Sequence, residues 1–253
     1  MKIKTTFLFI LFAVIFSMQA YAWKPEDAAL FKKANENYRK GDFKEASAIY
    51  EELSGKYPAA ADFYYNLGNS LYRLGRRGDS ILAYERARLR DPRNQDILHN
   101  LKYVSGQLEY RIDDKRNWYL KAAQDALDYF TEKEVISWVL MTYLLLMASW
   151  AFVLFFRADA TWGWKRKTLV VFSVIFLLLG IAKNVKTYFI RDAIVTSKEA
   201  QVRYGPSDSD QVGFRLKEGL KVYVVDQRDE WSRILLVNGE SGWARNSQIS
   251  EVK

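Results

Sequence analysis

Two long apolar runs dominate the second half of the sequence. Residues 135–156 are 22 consecutive residues without a charge, and residues 168–182 are 15 more. A helix of the first length reaches about 33 Å, more than the roughly 30 Å of a bilayer core, and one of the second length reaches about 22 Å. The second run spans if Lys183 and Lys186 extend their charges to the interface, and a buried core helix is the alternative. We therefore predict a transmembrane hairpin with helices at 135–156 and 168–188 and a cytoplasmic loop at 157–167.

The first 22 residues have the pattern of a secretory signal peptide. Two lysines precede an apolar stretch, and Ala20-Tyr21-Ala22 has the small residues of a cleavage site. Cleavage after Ala22 is predicted, with an uncleaved signal anchor as the alternative. Because two spans return the chain to its starting side, the sequence predicts a bacterial inner-membrane protein whose N- and C-terminal domains are both periplasmic.

The formal net charge of +8 is concentrated beside the apolar runs. Residues 1–22 carry +2, residues 23–134 carry +1, residues 135–191 carry +6 and residues 192–253 carry −1. Since both remaining parts are close to neutral, a nucleic-acid partner is not expected. The chain has no cysteine, which excludes disulfides and cysteine nucleophiles.

A 34-residue period runs through the first half of the chain. The segment 41–46 recurs at 75–80, and Tyr50 recurs as Tyr84. Over residues 23–108 this pattern resembles the tetratricopeptide (TPR) consensus, which implies antiparallel helix pairs. In that consensus Gly68 is small where paired helices cross.

The resemblance to TPR proteins implies a concave groove that binds a peptide or a helix of a partner. Counting from the consensus places eight side chains in this groove, each with packing or solvation as the alternative. They are Phe31, Asn35, Tyr38, Tyr65, Asn69, Tyr72, His99 and Tyr103. His99 is the only histidine, so neither a metal site nor histidine catalysis is expected.

Residues 109–134 approach the first apolar run. Within them, residues 118–130 separate into an apolar and a polar face at helical spacing, which predicts an amphipathic juxtamembrane helix. Two arrangements stay open: the helix lies along the bilayer interface, or it packs on the last repeat as a cap.

Strand patterns replace helical ones in residues 193–253. Apolar β-branched runs at 222–225 and 234–237 predict strands, and Asn238-Gly239 predicts a type I′ hairpin turn. The segments 200–207, 216–219 and 242–243 resemble those of bacterial SH3 domains, which implies a small all-β barrel that binds cell-wall peptide or a protein. A candidate SH3-like groove consists of Tyr204, Trp231 and Trp243, and the alternative makes both tryptophans core residues and Tyr204 a surface aromatic.

The complete order of segments resembles the TPR-containing, BatE-type member of the aerotolerance (Bat) operon proteins. The predicted fold class is therefore multi-domain: a TPR solenoid, a two-helix transmembrane hairpin and an SH3-like barrel. No nucleophile elbow, phosphate loop or metal-ligand spacing is present, so we expect neither an enzyme nor a cofactor. The sequence predicts an adaptor whose partners are other Bat-type membrane proteins and the lipid bilayer, with a peptidoglycan-binding protein as the alternative.

Overall fold

The computed structural model describes residues 23–110, 112–114, 116–156 and 163–253. Side chains are described throughout these ranges except at 151–156, 165, 166, 169 and 186–189. The predicted signal peptide and most of the predicted cytoplasmic loop lie outside the described residues.

The first half of the described chain is a layer of antiparallel helices. Successive helices pack against one another and enclose a core around Ala34, Leu53 and Phe63, each fully buried. The five helices are α1 (Pro25–Lys40), α2 (Phe43–Lys56), α3 (Ala61–Arg73), α4 (Arg77–Arg90) and α5 (Gln95–Gly106).

Glycines in the left-handed conformation end the first helix of each repeat. Gly41 has φ 86° and Gly75 has φ 76°, a region that L-residues with a Cβ rarely adopt. Asp42 then caps α2, because its Oδ1 accepts a hydrogen bond from the backbone N of Glu45 at 3.2 Å. The repeated glycine of the sequence therefore marks the same tight turn twice.

Three further helices follow the repeats in the described chain. α6 (Trp118–Tyr129) presents its polar face to the protein: Asp128 lies 3.8 Å from Arg88, and Lys121 donates to the carbonyl of Asp114 at 2.9 Å. Its apolar face points outward, and Trp118 is 78% exposed. The cap arrangement would require the apolar face of α6 to cover the last repeat. In the structure the polar face of α6 meets the protein instead.

The helices α7 (Glu132–Phe156) and α8 (Gly163–Phe189) form a hairpin. The Trp138 and Phe176 rings are 5.3 Å apart, and a Cβ at Gly180 would lie 3.6 Å from Val135. Outward-facing side chains are apolar and exposed, including Leu140, Met141 and Leu178.

Within the described residues, no helix has the combination of length and apolarity that crossing a membrane requires. In α8 the Lys183 Nζ turns back to the carbonyls of Leu127 and Phe130 instead of extending to an interface. The predicted transmembrane hairpin at 135–156 and 168–188 is corrected accordingly, as is the two-span inner-membrane localisation that depended on it.

The C-terminal part is a seven-stranded antiparallel sheet with the strand order β3-β2-β6-β5-β4-β1-β7. We call it the barrel, because all seven strands contribute to one core. Alternate residues face a core that includes Val202, Val222, Ile234 and Ala244. The strands are β1 (Arg191–Val195), β2 (Glu199–Arg203), β3 (Val212–Lys217), β4 (Lys221–Arg228), β5 (Trp231–Leu235), β6 (Ser241–Arg245) and β7 (Ile249–Glu251).

The turn between β5 and β6 differs from the predicted type I′ turn. Gly239 has φ 93°, but Asn238 is not among the residues with positive φ, and a type I′ turn requires both. The Gly239 N donates to the Leu236 carbonyl at 3.0 Å, which places the glycine after the turn. The Asn238-Gly239 dipeptide lies in the hairpin as predicted, but the loop is longer than two residues. Asn238 therefore does not adopt the left-handed conformation.

The barrel packs directly on α4. Ile194 and Val252 of the barrel share one buried cluster with Ile81 and Leu82 of α4. A Cβ at Gly78 would lie 2.8 Å from the Val195 carbonyl, so the strand and the helix approach as closely as glycine permits. The helical repeats and the barrel therefore form one packed unit.

Candidate functional site

Amide and phenol groups repeat along the first helices of the TPR region. The buried Tyr50 hydroxyl donates to Asn35 Oδ1 at 2.7 Å, and 34 residues later the Tyr84 hydroxyl donates to Asn69 Oδ1 at 2.6 Å. Burial raises the pKa of Tyr50 to about 12 and also raises the pKa of Tyr84, so both phenols stay neutral hydrogen-bond donors. The two asparagines are thereby held in the same orientation in both repeats.

A third helix joins this polar row. Asn100 on α5 donates to Asn69 Oδ1 at 2.9 Å and to the Tyr65 hydroxyl at 3.2 Å. Gln107 exchanges hydrogen bonds with the Tyr72 hydroxyl at 3.1 and 3.2 Å. Asn100 and Gln107 were not among the eight residues predicted for the groove, and their role depends on contacts with Asn69 and Tyr72 on another helix.

Tyr72 and Tyr103 form the aromatic end of the groove. Their ring centroids are 6.0 Å apart with an edge-to-face arrangement, and Tyr103 is 54% exposed. His99, one turn earlier on α5, is also exposed. The structure thus brings the predicted residues of α3 and α5 together around Asn100 and Gln107.

The predicted residues of α1 are placed differently from one another. Phe31 is half-buried in an aromatic cluster, with its centroid 5.3 Å from both Trp23 and Phe63. Tyr38 packs edge-on against Phe43 at 5.2 Å. Packing therefore occupies much of the Phe31 surface, whereas Asn35 keeps the position that Asn69 has in the next repeat.

The groove offers neutral hydrogen-bonding groups beside aromatic rings. In the described part of the chain, no hydrogen bond occupies the Nδ2 atoms of Asn35 and Asn69, whose oxygens are already used. Each amide can therefore donate to a ligand. This arrangement suits an extended peptide, whose carbonyls accept hydrogen bonds and whose apolar side chains contact aromatic rings.

The three predicted aromatic residues of the barrel do not form one open groove. Trp231 and Trp243 are both 7% exposed, whereas Tyr204 is 70% exposed. The guanidinium of Arg245 lies 4.9 Å from the Trp231 ring centre, and that of Arg228 lies 5.1 Å from the Trp243 ring centre. Arginine side chains therefore cover both indoles.

Charged groups meet where the barrel contacts the repeats. Lys221 of β4 lies 2.7 Å from Asp192 of β1 and 3.5 Å from Glu85 of α4, and Arg88 lies 2.8 Å from the same Glu85. Burial alone would raise the pKa of Glu85, but Lys221 and Arg88 hold it below its usual value. Burial likewise opposes the charge of Lys221, but Glu85 and Asp192 raise its pKa. Glu85, Arg88 and Lys221 therefore stay charged near neutral pH. Nothing in the local sequence predicted this contact, because Glu85 and Lys221 are far apart in the chain.

The comparisons with known proteins agree with two parts of this architecture. The tetratricopeptide repeat family matches residues 31–97, and the bacterial SH3 domain family matches residues 196–251. No curated protein matches the chain. The chain therefore contains a tetratricopeptide repeat followed by a bacterial SH3 domain.

Proposed function

We propose that this protein is a non-catalytic adaptor whose TPR groove holds an extended segment of a partner protein. The observation that carries the proposal is the row of Asn35, Asn69 and Asn100, which buried phenols and a neighbouring amide orient towards the groove. A partner segment would lie across α1, α3 and α5, with its carbonyls on the free amide N–H groups and its apolar side chains against Tyr72 and Tyr103.

The side chains that line the groove restrict the partner more closely than the order of segments along the chain does. The resemblance to the aerotolerance-operon proteins depended partly on two membrane spans, and no helix among the described residues is long and apolar enough to provide one. A groove lined by amides and phenols selects a mixed polar and apolar segment over a highly charged one, because these neutral groups offer no opposite charge to offset the cost of removing an ionised group from water. A Bat-type partner would need to offer such a segment.

Docking of the barrel gives the adaptor a fixed geometry. Gly78, Ile81, Glu85 and Arg88 form the stripe of α4 that meets the barrel, whereas Tyr103 of the groove stays 54% exposed. The barrel therefore leaves the groove open. Two binding surfaces held in one orientation strengthen weak individual contacts through effective concentration.

The groove can be tested with peptides selected from a display library against the full chain. Binding of a selected peptide is then measured by calorimetry for Tyr103→Ala, which removes an exposed ring without burying an unpaired polar group. We expect about a tenfold loss, or roughly 1.4 kcal/mol. Lys33→Ala is the matched control, because Lys33 is exposed and lies about 200° around α1 from Phe31. Equal binding by wild type and Tyr103→Ala would refute the groove assignment.

A second candidate function is binding of cell-wall peptide through the bacterial SH3 domain. The match over residues 196–251 and the exposed ring of Tyr204 favour it. Co-sedimentation of the full chain with purified sacculi tests this function directly, and Tyr204→Ala should then reduce the bound fraction. Absence of co-sedimentation would leave the adaptor function alone.

A further inference from the structure

Arginine and tryptophan alternate on the outer face of the barrel. Trp243 of β6 stands opposite Arg203 of β2 on one side and Arg233 of β5 on the other. In the next row, Trp231 of β5 stands between Arg245 of β6 and Arg228 of β4. Each indole is thus flanked across the strands by two arginines, a pattern that we call the Arg–Trp checkerboard (Arg203, Arg228, Trp231, Arg233, Trp243 and Arg245).

The checkerboard faces away from the helical repeats. The barrel reaches α4 through β1 and the start of β4, where Ile194 and Lys221 lie. The checkerboard occupies the outer face of β2, β6, β5 and the end of β4. It is therefore open to a partner in the full chain.

Arg233 is the arginine of this surface whose guanidinium has no partner among the described residues. It is exposed, and in the described part of the chain it makes neither an ion pair nor a hydrogen bond. Arg203 is committed to the loop after β2, because its Nη1 donates to the carbonyls of Asp208 at 3.0 Å and Asp210 at 2.6 Å.

Carboxylates of the barrel already pair with the other two arginines. Arg245 pairs with Asp208 and, at 3.0 Å, with Glu230, and Arg228 lies 3.3 Å from Asp226. The side chains of Asp208 and Glu230 are 65% and 80% exposed. Exposed pairs of this kind contribute only about 0–1 kcal/mol, so a ligand carboxylate can replace them. These pairs show that the arginines of this surface bind carboxylates.

The spacing of the arginines selects the shape of the ligand. Arg233 and Arg245 are diagonal neighbours on adjacent strands, a relation that separates residues by about 7–8 Å. Alternate side chains of an extended peptide point to the same side and are about 7 Å apart. Two carboxylates at alternate positions therefore match Arg233 and Arg245.

We propose that the Arg–Trp checkerboard is a second binding site, which takes an extended acidic segment of a partner protein. Its alternate carboxylates pair with Arg233 and Arg245, and the second displaces Asp208 and Glu230. Guanidinium groups bind carboxylates through paired, directional hydrogen bonds, and the Trp231 indole holds the guanidinium of Arg245 by cation–π contact. This site does not depend on the TPR groove.

Calorimetry with the full chain and a short synthetic peptide that has glutamate at alternate positions tests the proposal. Arg233→Gln should weaken binding by about tenfold or more, because one charge-assisted contact is lost. Arg215→Gln is the matched control: Arg215 is also an exposed arginine on the outer face, but it lies on β3 and pairs with Glu199 at 3.2 Å. The double variant Asp208→Asn, Glu230→Gln should bind more tightly, because it removes the competing carboxylates.

Three outcomes would overturn the proposal. Equal losses in Arg233→Gln and Arg215→Gln would mean general attraction between charges. Equal binding of a peptide with glutamine in place of glutamate would exclude carboxylate recognition. A peptide with adjacent glutamates that binds as well as the alternating one would exclude the spacing. Arg233 is exposed, so an unchanged circular dichroism spectrum will show that its variant is folded.

Discussion

Single side chains decide how closely the repeat helices approach one another. A Cβ added to Gly68 would lie 2.7 Å from the ring of Tyr84, which is 1% exposed and bonded to Asn69. The ring cannot move away without breaking that hydrogen bond. The same contact thus sets the distance between α3 and α4 and orients a groove amide, which links packing to binding.

Gly68→Ala should therefore destabilise the protein by about 1–3 kcal/mol, the usual cost of overpacking a core. Urea unfolding followed by circular dichroism measures this change. Gly55→Ala is the matched control, since Gly55 also lies in a repeat helix but a Cβ there meets no atom within 4 Å. Its higher helix propensity should stabilise the protein by about 0.5–1 kcal/mol. Equal effects of both substitutions would contradict the helix crossing.

The groove is formed by whole helices, and the capping of their ends affects how well ordered the groove residues are. α5 contributes His99, Asn100 and Tyr103, and it begins at the cap residue Asn94. The Asn94 Oδ1 accepts hydrogen bonds from the backbone N of Asp96 at 3.1 Å and of Ile97 at 3.3 Å. These bonds satisfy two of the free N–H groups at the helix start.

Asn94→Ala should cost about 1 kcal/mol and increase hydrogen exchange in the first turn of α5, because that turn loses its cap. Hydrogen-exchange mass spectrometry of the full chain would detect the change. Asn66→Ala is a suitable control, because Asn66 lies in the middle of α3 and its side chain, among the described residues, bonds only the Asp62 carbonyl of the same helix. Unchanged protection of α5 in Asn94→Ala would disprove the capping role.

The complete molecule depends on one junction between the repeats and the barrel. Lys221 neutralises Glu85 and Asp192 there, and Arg86 and Arg90 of α4 donate to the carbonyls of Glu251 and Lys253, both at 2.9 Å. A buried carboxylate that loses its cation is strongly unfavourable. The junction should therefore make the repeats and the barrel unfold together.

Lys221→Met should destabilise this junction by about 3–5 kcal/mol and separate the unfolding of the repeats from that of the barrel. Differential scanning calorimetry would show a second transition. Lys217→Met removes an exposed lysine that pairs only with Glu199 on the barrel surface, so it should leave a single transition. A single transition for both variants would mean that apolar packing alone joins the two parts.

Periodicity and glycine chemistry were sufficient to predict the helical repeats and the barrel, because both are encoded within windows of a few tens of residues. The 34-residue period placed Gly68 against Tyr84 and put Asn35 and Asn69 at equivalent positions. Local patterns could not predict which face of α6 turns inward, because Arg88 and Asp114 hold its polar side. They also could not predict that Lys221 meets Glu85, or that Arg233 stands opposite Trp243 and Arg245 opposite Trp231. Those pairings arise from contacts between distant segments and from strand register, which exist only in the folded chain.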